Sequence, residues 1–110
     1  MDEVITQVEV ERELLRLCGL TEKALGEVRR RGEALARARV AFKLARARAY
    51  LMAEGTVPER EAHADEQTGE QMLDYEMAEA LSRSAQEAGR TYRAQLDVLR
   101  SINSNLRAQV

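Results

Sequence analysis

The chain has little of what most folds and chemical sites are built from. Its 110 residues include one proline, one cysteine, one phenylalanine and no tryptophan. A single cysteine, Cys18, cannot close an intramolecular disulfide, which excludes a disulfide-stapled scaffold and predicts a reducing, cytoplasmic setting. No apolar run approaches the ~18 residues of a membrane span, and the opening MDEVITQVEVERELL is acidic where a secretory signal is basic and then apolar. Neither a transmembrane helix nor a signal peptide is therefore expected, and no membrane partner. Scarce β-branched residues argue against a sheet.

Motifs for chemistry are missing too. There is no P-loop, no G-x-G-x-x-G and no H-E-x-x-H. Cys18 lies beside Gly19 with no base at hand and reads as a small apolar packing residue. The SRS at 82–84 has no histidine or lysine at a useful spacing, and Tyr75 and Tyr92 fall among helical apolar positions. His63, the only histidine, stands at helical spacing from Glu59, Glu66 and Glu70. A metal could be held that way, but a lone histidine in a polar, acidic stretch is more often simply solvated. The expectation is a protein that is not an enzyme, with no cofactor and no metal site.

What is present is alanine, leucine, glutamate, arginine and glutamine, the strongest helix formers. The fold class is all-α. Three helices are expected, over residues 2–17, 22–54 and 57–107, in one domain spanning 1–110. In the first, Ile5, Val8 and Leu15 share a face, with Leu14 and Cys18 close by. Gly19 is placed as its C-cap and Thr21 as the next N-cap. The clearest stop and start is EGTVPERE. Gly55 ends a helix, Thr56 and Glu59 have capping-box spacing, and Pro58 sits where its missing N–H costs nothing. Gly69 and Gly89 are expected at most to bend the third helix. The short turn predicts a long helical hairpin with an additional N-terminal helix.

From Leu35 the second helix carries a seven-residue repeat of Leu35, Ala38, Phe42, Ala45, Ala49 and Met52, the spacing of a coiled-coil seam. So few large apolar residues bury little surface on their own, so a homo-oligomer joined through coiled-coil-like seams is expected.

The modest net charge of −2 hides a block pattern. Residues 28–53 hold eight bases against Glu33, whereas residues 54–79 hold nine acids against Arg60. RARVAFKLARARAYL, residues 37–51, has five cations and no acid. At about 100° per residue, Arg39, Lys43, Arg46 and Tyr50 form one stripe beside the seam. Opposite runs a second apolar arc of Val40, Leu44, Ala47 and Leu51, bordered by Arg37 and Arg48. Guanidinium groups with an interleaved aromatic suit a nucleic-acid backbone, with charge for phosphate and a ring for stacking. Arg37, Arg39, Lys43, Arg46, Arg48 and Tyr50 are thus the candidate nucleic-acid-binding residues. Single strands fit better than duplex, since no groove-reading motif is present. The plainer alternative is that these arginines pair with acids across the hairpin.

The order of blocks resembles a known family. A helix ending in VAFKLARARAYLMAEG, then PEREAHADEQTGEQMLDYEMAEAL, then YRAQLDVLRSINSNLRAQV is similar to the small helical phage proteins of the UvsY-like recombination mediator family. The resemblance covers residues 28–110. It implies an oligomeric ring or barrel that binds single-stranded DNA and helps a RecA-like recombinase displace single-strand-binding protein, in the host cytoplasm. It implies DNA-binding roles for Lys43, Arg46 and Arg48, with Tyr50 in the aromatic place before the turn. The acidic first helix has no counterpart in that family. Two other readings stand beside it. One is a helical structural or assembly protein that ignores DNA; the other is a small helical inhibitor of a host protein.

Overall fold

A computed structural model describes residues 6–109, and among these it contains three helices and no strand. They are α1 (Gln7–Met52), α2 (Val57–Gln67) and α3 (Gly69–Ala108). Ile5 and Val110 lie outside the described residues.

Helix α1 starts on a reciprocal capping box. The Glu9 amide donates to Thr6 Oγ1 at 3.2 Å, and the Thr6 amide donates to Glu9 Oε2 at 3.0 Å, so two otherwise orphaned donors are satisfied. The break expected at Gly19 and Thr21 is absent, because α1 runs straight through both. The Thr21 hydroxyl donates to the Leu17 carbonyl at 2.7 Å within the helix and caps nothing. A mid-helix glycine costs about 1 kcal/mol relative to alanine, a penalty offset here by burial of Leu17 and Ala24 on either side.

The turn after α1 follows from local chemistry. The Ala53 amide tightens the last turn onto the Tyr50 carbonyl at 3.2 Å. Gly55 has φ +107°, the only positive φ among the described residues, and a β-carbon there would strike the Glu59 carboxylate. Thr56 then caps α2, its hydroxyl accepting from the Glu59 amide at 3.4 Å with Pro58 in the first turn. The single helix expected over 57–107 is instead two. They meet at Thr68, whose buried hydroxyl donates to the Ala64 carbonyl at 2.7 Å while its backbone leaves helical geometry at φ −116°, ψ 20°.

The chain divides into two compact units, Met1–Val28 with Ala85–Val110, and Arg29–Ser84. In the first, the two segments run antiparallel, with Arg107 reaching Glu11 at 3.7 Å. Val10, Leu17 and Ala24 are buried against an arm that contributes Ala85, Leu96 and Asn103. With the half-buried Leu14, Thr21 and Val28, the α1 residues step by four and three, the spacing of a left-handed helix pair. At Gly89 a β-carbon would lie 4.0 Å from that of Ala24, an ordinary van der Waals contact, so the pairing does not depend on glycine there. The face picked out from Val8 and Leu15 is the wrong one, since both are exposed. The buried stripe escapes a hydrophobicity reading because Thr21 and Ala24 interrupt it.

The second unit is a hairpin about Gly55. Phe42 meets Tyr75 with ring centroids 5.9 Å apart, and Arg46 meets Asp65. Leu35, Ala38, Phe42, Ala45 and Ala49 are half-buried on the side of α1 facing the returning arm, so the chain itself occupies this seam. Met52, at the helix end, is exposed. On the return, Ala64, Thr68, Gln71, Tyr75, Ala78 and Ser82 repeat the alternation of four and three, all buried or half-buried.

Candidate nucleic-acid interface

The six candidate residues divide between two sides of α1. Arg39, Lys43, Arg46 and Tyr50, at intervals of four, three and four, form one stripe along the helix. Arg37 and Arg48 point roughly 160° away, by the 100° turn per residue of an α-helix, and belong to a different surface.

Within the stripe each cation has its own environment. Arg46 is half-buried, and its Nε donates to Asp65 Oδ1 at 3.0 Å. Asp65 itself is well exposed, and an ion pair of this kind is worth about 0–1 kcal/mol. A phosphate can replace such a carboxylate at little cost. The Arg39 guanidinium lies 5.7 Å from the centroid of the Tyr75 ring, a contact that orients the group and leaves its charge intact. Lys43 is exposed and makes no ion pair with a described residue; the same is true of Arg37 and Arg48. Lys43, Arg46, Ala47, Tyr50 and Leu51 line a shallow depression beside the stripe.

Two participants were invisible to helix periodicity. Arg60 on α2 places its guanidinium 5.6 Å from the Tyr50 ring centroid, so one face of that ring is taken within the chain, and the Arg60 Nε is buried without a partner. Tyr75 supplies the ring for both Phe42 and Arg39. The signal for Arg60 was reflection about the turn, since Tyr50 and Arg60 each stand five residues from Gly55.

The remaining polar clusters carry less. His63 is exposed, and among the described residues no group of three or more potential metal ligands converges. In the other unit, Glu13 and Arg16 form an ion pair at the edge of a groove lined by Leu17, Ala94, Val98 and Leu99. The hydrogen bond from Arg16 holds the Glu13 carboxyl below the usual carboxylate range. No helix among the described residues is long and apolar enough to cross a membrane. No protein-family model, curated protein or solved structure matches this chain.

Proposed function

We propose that the protein is a non-enzymatic, self-associating single-strand-binding factor of phage-type recombination. In this reading it acts as a mediator of the UvsY-like kind, helping a RecA-like recombinase load onto DNA covered by single-strand-binding protein. The observation that carries the reading is the stripe of Arg39, Lys43 and Arg46 on one side of α1. Lys43 there pairs with no described residue, Arg39 is oriented by a ring, and Arg46 is held by an exposed carboxylate. Phosphates of a single strand release counterions on meeting these cations. Copies joined side by side align their stripes, and weak sites then add through avidity. The side of Tyr50 not covered by Arg60 offers a base a stacking surface.

Fluorescence anisotropy of a labelled single-stranded oligonucleotide, titrated at several salt concentrations, tests the reading. Binding is expected to weaken steeply with salt. The combined change Arg39→Ala, Lys43→Ala and Arg46→Ala is expected to remove it without changing the mass of the protein in solution. No binding at about 50 mM salt, where such contacts are strong, would remove the proposal.

A helical assembly protein that ignores DNA is the second reading, and the Arg46–Asp65 pair is what favours it. Under it the triple variant loses thermal stability, and the wild-type chain leaves the oligonucleotide unbound.

A further inference from the structure

The unit Arg29–Ser84 carries two apolar stripes that no described residue covers. Val40, Leu44 and Leu51 on α1, and Leu73, Met77 and Leu81 on α3, are between 43 and 76% exposed. At 100° per residue, the stripe on α1 lies roughly 160°, and that on α3 roughly 130°, around its helix from the residues packed inside the hairpin. Neither stripe faces the other arm of the hairpin. The hairpin also lacks a core of its own, since its only buried hydrophobic residues are Ala53 and Ala64. Two helices holding so little apolar surface away from water do not stand alone.

The edges of the two stripes differ in sign. Arg37 and Arg48 flank the stripe on α1, while Glu70 and Asp74 flank the stripe on α3. None of these four makes an ion pair with a described residue. The pattern describes two halves of one interface: apolar centres, edged by charges of opposite sign that pair with no described residue.

We propose that the α1 stripe of one copy docks on the α3 stripe of a second copy of this chain, with Arg48 beside Glu70 across the contact. Continuing the Phe42–Tyr75 register into a neighbour set side by side, pointing the same way, brings Leu44 level with Leu73 and Arg48 within one residue of Glu70. Apolar side chains then meet in the middle, and charges of opposite sign close the edge. Arg39 and Arg46 lie roughly 120–140° around α1 from this contact and stay accessible, while Lys43 stands at its edge, beside the depression it shares with Leu51. The inference rests on the self-association in the function proposed above and is independent of DNA binding.

The test uses the full chain without nucleic acid. Light scattering on the column eluate is expected to give a multiple of the 12.4 kDa chain mass. Leu44→Glu is expected to reduce it to the single-chain mass. Arg48→Glu and Glu70→Arg, each alone, put like charges together and are expected to weaken association by about tenfold or more; combined, they are expected to restore it. Both charge reversals sit at exposed positions that make no ion pair with a described residue, so the fold survives even if Leu44→Glu unfolds. A wild-type chain that stays single at every concentration, or a double reversal no better than either single one, overturns the proposal. Loss of DNA binding with the mass preserved would count against the stripe of Arg39, Lys43 and Arg46 and leave this interface standing.

Discussion

Replacing Leu17 with alanine tests which face of α1 the fold buries. Leu17 is 2% exposed, whereas Leu15, two residues earlier on the same helix, is 75% exposed. Leucine-to-alanine changes in a core cost about 2–5 kcal/mol, the spread reflecting how far the surroundings collapse into the space. A two-helix pair relaxes more readily than a deep core, so about 3 kcal/mol is expected for Leu17→Ala. For Leu15→Ala the exposed side chain gives up almost no burial, and alanine is the better helix former, so the change should stay within about 0.5 kcal/mol. At about 4–8 °C per kcal/mol for a domain near this size, Leu17→Ala lowers the melting temperature by about 12 °C or more. Leu15→Ala leaves it within a few degrees. Thermal melts followed by far-UV circular dichroism, at one low chain concentration for all three proteins, read the difference directly. Equal losses, or a larger loss at Leu15, would refute both the register of the helix pair and the burial assignments that follow from it.

Two further changes probe single positions. Gly55→Ala forces a side chain onto a φ of +107° and pushes its β-carbon into the Glu59 carboxylate, so a loss of about 1–2 kcal/mol is expected from the backbone alone. A urea midpoint equal to wild type would show that the turn needs no glycine. Asn103→Leu should raise the melting temperature. Asn103 is only 9% exposed with its Oδ1 unpartnered, and an orphaned buried acceptor costs about 1–3 kcal/mol; a lowered melting temperature would mean that the amide is satisfied and needed.

Features set by a few neighbouring residues were legible. EGTVPERE contains a residue tolerant of positive φ, a hydroxyl to cap and a proline for the first turn, and these alone produce the reversal after α1. The cationic stripe was equally readable, because it depends only on the period of the helix. The same local reasoning failed at Gly19 and Thr21. These residues look like a helix end, and they become helix interior once burial of Leu17 and Ala24 outweighs their poor propensity. TQVE, residues 6–9, has the same capping form as TVPE at 56–59, and this local signal sets the start of α1 at Thr6 rather than at residue 2. The partners of the cations were beyond such reasoning. Asp65, Tyr75 and Arg60 meet Arg46, Arg39 and Tyr50 only when the hairpin closes.

Composition by itself decided that this chain is helical, and the glycine and threonine after α1 decided where it turns, because propensity and capping act within a few residues. Tertiary structure alone decided which of several apolar stripes goes inside. It also decided which arginine meets a carboxylate and which keeps its charge toward water. The reason is that a helix with apolar residues on two sides has no internal preference between them. Burial is a property of the pair, and the sequence of one arm does not contain the other arm's position.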